Sequence, residues 1–486
     1  MLSFYSKAIS PRINFKSIAA FSTLQEQDLK YFRSILEPHE IVTEPSELEK
    51  FNTDWMKKYV GYSKLALKPN TSQKVSSILK YCNSKNLKIV PQGGNTGLVG
   101  GSVPLKDEIV LSLTNMNKIL GFSENLGVVS VEAGCVLDSI NQFLLKYGSE
   151  VPLDLGAKGS CCIGGNIATN AGGIRFVKFG PFRASILGLE VVLPSGEILN
   201  LESEIRKDNT GFDLKQLFIG SEGTLGVITK ANILTSKLDK FRQVLFMRAD
   251  SFEKVLKIHN LIKQYAGKNL AALEYLDEHA YYTVAEQLPQ LHKPFAATSD
   301  KNKFYVLTEL AGSERLESIV ESLYQALDEN KLIEDCVLSE NEAQLKDLWE
   351  IRENVSLAAT QKGLVFKYDV SLSIEKFNEI IEKVRQRAGS LGDTLGYGHI
   401  GDGNLHINVI CFDKKQKKQM EEILEPYVLE EISAIKGSIS AEHGLGSQKA
   451  KFIHLAKDKN TIELMRQVKK IFDPNNILNP GKVIPG

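Results

Sequence analysis

Apolar residues recur along the chain at two spacings. Val75, Ile78, Leu79 and Cys82 stand at i, i+3, i+4 and i+7, which predicts a helix with one buried face, and Leu87–Val90 predicts a short strand after it. Gly127–Glu132 reads as a strand, and Val136, Ile140, Phe143, Leu144 and Tyr147 as the stripe of the next helix. Leu187–Leu199 is a hairpin about Pro194-Ser195-Gly196, and Phe218–Thr229 closes this alternation of strands and helices. The pattern then changes. Arg242–Met247, Lys303–Leu310 and Val365–Leu372 read as strands, Glu340–Gln361 as one long helix, and Leu395–Cys411 as two strands about a Gly-Asp-Gly-Asn turn. Phe252, Val255, Leu256, His259 and Ile262 form an apolar helical stripe, on which His259 is a packed core histidine. Asp473-Pro474 opens a final turn and Asn479-Pro480-Gly481 ends it.

These elements predict an α+β protein. With 486 residues the chain is too long for one ordinary core, and the change of pattern divides it into domains at 55–238 and 239–440, with a closing segment at 441–486. Hydrophobic content of 43% and charged content of 24% are those of a soluble globular protein. Lys+Arg and Asp+Glu both number 59 without long blocks of like charge, which gives no support to nucleic-acid binding. No apolar run approaches the ~20 residues of a membrane-spanning helix. The six cysteines form no CxxC pair, as expected of buried thiols in a reducing compartment. Residues 1–25 carry Lys7, Arg12 and Lys16 among serines and apolar residues, with no acidic residue before Glu26. That is the composition of a mitochondrial transit peptide and predicts a matrix protein.

The most distinctive stretch is Pro91–Pro104, PQGGNTGLVGGSVP, with five glycines and no charge. Such a loop is either a surface turn or a phosphate cradle. Entry from a buried strand and the absence of charge favour a nest of inward-turned N–H groups suited to a diphosphate. The loop lacks GxxxxGK[ST] and any lysine, so it is not a nucleotide loop of the commoner kind. A second small-residue segment, Asp154–Gly173, lets backbone pass close to a large flat ligand. Gly396–Gly401 matches G-x-G-x-x-G, but a strand follows it rather than a helix, which excludes NAD on context.

Three of the eight histidines, His399, His406 and His443, lie in two Gly-rich segments, with Glu442 beside the last. Two histidines and a carboxylate form an ordinary ligand set for Zn2+ or another divalent metal.

The loop Pro91–Pro104 resembles the pyrophosphate loop of flavoproteins with the vanillyl-alcohol-oxidase (PCMH-type) fold, and the chain from about Glu40 to Gly486 resembles the FAD-linked D-2-hydroxyacid dehydrogenases. The resemblance implies a two-subdomain FAD-binding domain, a ferredoxin-like cap over the flavin, and a C-terminal segment that returns to it. It assigns the cofactor to Gln92, Gly93, Gly94, Asn95, Thr96, Gly97, Gly101 and Ser102 at the diphosphate, and to Thr169, Asn170, Gly172 and Gly173 along the flavin and ribitol. Glu222 and Gly223 fall near the adenine side, and Asn479 lies in the closing motif. No His or Cys lies in Pro91–Pro104, so FAD is expected to bind non-covalently. The implied metal ligands are His399, His406 and Glu442, and the implied general base is His443. Arg352, Ser356, Lys367 and Asn408, with His443, are implied to hold the substrate, Ser356 standing where threonine is common. The implied reaction is oxidation of a D-2-hydroxy acid such as D-2-hydroxyglutarate or D-lactate, with hydride passing to flavin N5. An electron-transfer flavoprotein, a cytochrome or a 2-oxo acid such as pyruvate is the expected acceptor, and a homodimer is an expected assembly.

Overall fold

The computed structural model describes residues 24–296 and 302–485. Of the expected transit peptide, residues 1–23 lie outside the described residues.

The periodicity at Val75–Cys82 forms the helix Ser72–Lys85. Thr71 caps its start by accepting the Lys74 N–H, and Asn86, with φ of 55°, ends it in the left-handed region. The buried stripe turns the chain into Ile89–Gln92, which pairs in parallel with Ile109–Ser112. This four-stranded sheet has the order Ile41–Val42, Ala66–Leu67, Ile109–Ser112, Ile89–Gln92. A strand-like piece from the far end of the chain borders its last strand: the Ile89 N–H donates to Ile477 O, and the Asn479 N–H to Ile89 O, at 2.7 and 2.9 Å. A second, antiparallel sheet has five strands in the order Ile119–Ser123, Val128–Glu132, Val227–Leu234, Ile186–Val192, Ile198–Leu201. One apolar core joins both sheets, running through Ile78, Leu111, Val129, Val191, Ile233 and Ile477.

The second half of the chain forms a seven-stranded antiparallel sheet. Its order is Asp335–Leu338, Phe241–Ala249, Phe304–Gly312, Leu270–Asp277, Gly392–His399, Asn404–Cys411, Leu364–Ser371. Leu270–Asp277 and Phe304–Gly312 are buried at every position, because helices cover both faces. Val255, Ile258, Ile262, Ile380 and Val384 pack on one face, and Tyr281, Val284, Trp349 and Ile351 on the other.

One expected element is different. Glu340–Gln361 is not a single helix but two, Glu342–Glu353 and Val355–Lys362, separated at Asn354. The Asn354 side chain donates to Glu350 O at 2.8 Å, so it competes for the carbonyl a continuing helix would use. Arg352 and Ser356 therefore stand on different helices rather than one turn apart on a shared face.

Candidate functional site

Gln92 ends the strand that enters the glycine loop, and its amide donates to Phe51 O and Ser102 O at 2.9 and 2.8 Å. Asn95, at φ 54°, donates to Thr53 O at 2.8 Å and accepts from Ser102 Oγ at 2.8 Å. These side chains brace the loop from within. What they leave for a ligand is backbone: among the described residues, no N–H from Gly93 to Val103 donates to a protein acceptor. Unspent donors around one concavity fit a diphosphate. A Cβ on Gly97 would meet nothing within 4 Å, whereas one on Gly94 would stand 2.0 Å from Ser160 O. The two small-residue segments thus touch backbone to backbone, a contact the sequence patterns did not indicate.

Along the second segment, Thr169 Oγ1 donates to Gly165 O at 3.0 Å and Asn170 Oδ1 accepts the Arg183 N–H at 3.2 Å. A Cβ on Gly172 would lie 3.2 Å from Glu442 Cβ, which brings the flavin-domain segment against the candidate metal ligand. Glu222, expected near the adenine side of the cofactor, also makes contacts of its own within the protein. Its carboxylate accepts the N–H groups of Leu445 and Gly446, both at 2.8 Å, and its carbonyl accepts from Asn479 Nδ2 at 2.7 Å. It ties the loop after His443 to the flavin domain, and Gly223 follows it at φ 69°.

The hairpin Gly392–His399 and Asn404–Cys411 brings His399 and His406 together with Nε2 atoms 3.4 Å apart. Glu442 Oε1 lies 3.9 Å from His406 Nε2 and 3.4 Å from His443 Nε2. Two bonds of about 2.0–2.1 Å at a tetrahedral angle would set their donors about 3.3 Å apart, so the histidine pair has the spacing a divalent ion requires. Each imidazole is held from behind. His399 Nδ1 is 2.7 Å from Glu274 Oε1, while Asp369 lies 3.8 Å from His406 Nδ1 and 3.6 Å from His443 Nδ1. This carboxylate–histidine arrangement leaves the Nε2 atoms for an ion or a proton.

The electrostatics agree. Burial would depress His399, but Glu274 outweighs it and raises its pKa to about 9. Burial, and then the neighbouring His399, push His406 well below its ordinary value. The two neighbouring imidazoles thus resist being protonated together, and a bound cation can stand where a shared proton would. For His443, Asp369 outweighs the depressing effect of burial and raises the pKa. Asp369 itself is held far below the usual carboxylate range. Burial opposes this, but His443, Lys449, His406 and the N–H groups it accepts overcome it. Its Oδ2 accepts from Ala441, Glu442 and His443 N–H at 3.1, 3.0 and 3.1 Å, so one carboxylate fixes both the backbone and the imidazoles.

Arg352 is buried, with its guanidinium 4.8 Å from the Tyr397 ring centroid. Its Nε donates to Glu274 Oε2 at 2.7 Å, and its Nη2 is buried without a partner. Lys367 Nζ donates to Ser356 Oγ at 2.6 Å, and no carboxylate pairs with it among the described residues. Burial lowers the Lys367 pKa, and Lys58 adds to the effect. Asn408 Nδ2 donates to the Tyr397 hydroxyl at 2.9 Å. A buried guanidinium N–H without a partner and an ammonium without a carboxylate are donors that an anion can satisfy.

The sequence reading did not single out Glu274, Asp369 or Tyr397 as functional. Glu274 had a signal, since it is a carboxylate flanked on both sides by apolar and aromatic residues in LAALEYLD. Asp369 and Tyr397 become meaningful only once the sheet places them.

The family model "FAD binding domain" matches residues 63–202, and "FAD linked oxidases, C-terminal domain" matches 238–483. D-2-hydroxyglutarate dehydrogenase, mitochondrial, of Arabidopsis thaliana is 44% identical, covering 96% of this chain and 83% of that protein. D-2-hydroxyglutarate–pyruvate transhydrogenase of Saccharomyces cerevisiae is 43% identical, covering 96% of this chain and 95% of that protein. Among solved structures, p-cresol methylhydroxylase with substrate bound superimposes with a TM-score of 0.76 at 15% identity, covering 94% of this chain and 96% of that one. The overall architecture is therefore that of the vanillyl-alcohol-oxidase-type flavoproteins.

Proposed function

The chain belongs to the FAD-linked oxidase family, and on that premise we propose that it oxidises D-2-hydroxyglutarate to 2-oxoglutarate at the cap–flavin boundary, with a divalent ion at His399, His406 and Glu442. It is an FAD-dependent oxidoreductase of D-2-hydroxy acids. When bound, FAD supplies the two-electron acceptor for the substrate α-hydrogen, and the divalent ion supplies a Lewis acid for the hydroxyl oxygen.

The protein's own work is to orient the substrate and move one proton. Arg352, Ser356 and Lys367 hold a carboxylate, with Asn408 and Tyr397 forming the adjoining wall. His443 takes the hydroxyl proton at Nε2, and Asp369 behind Nδ1 stabilises the imidazolium that results. The glycine loop and Thr169–Gly173 receive FAD without a covalent bond. The observation carrying this reading is the unpartnered Arg352 Nη2 beside an ion-sized gap between two imidazoles and a carboxylate.

The Arabidopsis relative is mitochondrial by name, and the mitochondrion is the location for this chain, with the matrix as its compartment. Among the described residues no helix is long and apolar enough to cross a membrane. The electron acceptor is an electron-transfer flavoprotein, a cytochrome or a 2-oxo acid. The yeast relative, named as a transhydrogenase with pyruvate, favours testing the last first.

Steady-state turnover with D-2-hydroxyglutarate, L-2-hydroxyglutarate and D-lactate tests the substrate assignment. The expected order is D-2-hydroxyglutarate first, D-lactate well behind, and the L enantiomer inactive. Equal kcat/KM for D-lactate and D-2-hydroxyglutarate would refute the dicarboxylate assignment.

A further inference from the structure

The glycine loop has no charged residue, yet the chain brings one to it from nearly four hundred residues away. Lys482 is buried, and its Nζ donates to Gly101 O and Val103 O, both at 2.8 Å. It reaches that place because Ile477–Asn479 runs alongside Ile89 at the sheet edge, and the Lys482 N–H donates to Asn479 O at 3.2 Å. Among the described residues its ammonium has no salt-bridge partner within 4 Å. Glu108 and Glu222 are the carboxylates that bear on it electrostatically.

We propose that Lys482 is the counter-charge of the FAD diphosphate, acting through the back of the glycine loop. The inference rests on the reading that this loop holds the diphosphate. Two physical effects support it. In a trans peptide, C=O and N–H point in opposite directions, so a carbonyl drawn back to an ammonium turns the next N–H the other way. Lys482 on Gly101 O thus turns the Ser102 N–H away from the lysine, and no protein acceptor meets it. A nest of amides also supplies only partial charges, and a dianion in a partly desolvated loop gains from a full cation one peptide away. A buried lysine without an ion-pair partner is otherwise an expensive way to satisfy two carbonyls. The next residue joins the same knot to the catalytic segment, since the Val483 N–H donates to Gly446 O at 2.9 Å.

The test is FAD release from purified holoenzyme on dilution, followed by flavin fluorescence, with circular dichroism to verify folding. Lys482→Gln keeps a donor for the carbonyls and removes the charge, whereas Lys482→Arg keeps the charge. The Gln variant is expected to release FAD at least about tenfold faster, or to purify folded and FAD-free, and Arg to stay close to wild type. Wild-type release from the Gln variant would overturn the proposal and leave Lys482 as a brace only, and equal loss in Gln and Arg would do the same. Gly97→Asp, which puts a carboxylate into open space in the loop, tests the underlying reading separately. If it releases FAD quickly while Lys482→Gln does not, only the lysine's role fails. If neither matters, the diphosphate is not in this loop.

Discussion

Arg352 and His399 share one carboxylate. Glu274 accepts from Arg352 Nε at 2.7 Å with one oxygen and faces His399 Nδ1 at 2.7 Å with the other. The proposed substrate clamp and the proposed metal site are thus oriented by a single buried side chain. Glu274→Gln should therefore disturb both, because an amide cannot accept from two donors through both its heteroatoms. The expected result is a lower metal content, read by elemental analysis, together with a raised KM for D-2-hydroxyglutarate. A loss of kcat alone, with metal content and KM unchanged, would mean Glu274 only fills space.

Arg352→Ala should damage turnover of D-2-hydroxyglutarate without loss of flavin. Removing the guanidinium leaves a desolvated substrate anion, at a cost of about 2–5 kcal/mol by analogy with other buried charge pairs. That corresponds to a fall in kcat/KM on the order of 30-fold or more. Arg352→Lys should recover only part, because an ammonium lacks the planar fork that bonds Glu274 and the substrate together. Flavin loss in the Ala variant would place Arg352 in the cofactor site instead.

Chelation should abolish activity while the flavin absorption spectrum persists. The candidate ligands His399, His406 and Glu442 belong to the cap and closing segment, whereas the glycine loop belongs to the flavin domain. His406→Ala should behave in the same way, as two ligands retain a divalent ion poorly. Full turnover by protein shown to be metal-free would remove the ion from the mechanism.

Much of this arrangement was legible in the sequence, for identifiable reasons. The stripe at Val75–Cys82 and the hairpin at His399–His406 are local patterns, so periodicity and turn residues suffice to find them. The break at Asn354 was hidden, because an asparagine side chain capping its own helix leaves the apolar spacing intact. Glu274, Asp369 and Lys482 were hidden for another reason. Each acts across a long sequence separation: Glu274 on residues 78 and 125 positions away, and Lys482 on a carbonyl 381 positions away. No local pattern encodes such a pairing.

Gly94→Ala should destabilise the flavin domain, by about 1–3 kcal/mol as an overpacking substitution. The added methyl would stand 2.0 Å from Ser160 O, and both partners are backbone, so neither can swing aside. Gly121→Ala, outside the glycine loop, serves as the control, since its Cβ would meet nothing within 4 Å. Thermal unfolding should show a lowered Tm for the first and a near-wild-type Tm for the second. Equal Tm values would mean the loops are less closely packed than described.

The occupancy of the loop by FAD should also depend on pH. Burial lowers Lys482 to about 7, against the opposing influence of Glu108 and Glu222. A bound dianion favours the charged lysine and so raises that pKa. Affinity should then be fully present below about 7 and weaken as pH rises past it. FAD release rates measured from pH 6 to pH 9 should increase with pH in the wild type and lose that dependence in Lys482→Gln.

The central claim is that electrons pass from a D-2-hydroxy dicarboxylate to the flavin of this chain. Anaerobic mixing of the purified protein with D-2-hydroxyglutarate, L-2-hydroxyglutarate, D-lactate and D-malate, followed by flavin absorbance, tests it without any external acceptor. The account predicts bleaching by D-2-hydroxyglutarate with formation of 2-oxoglutarate, much slower bleaching by D-lactate, and none by the L enantiomer. A flavin that stays oxidised with D-2-hydroxyglutarate in metal-replete protein would contradict it.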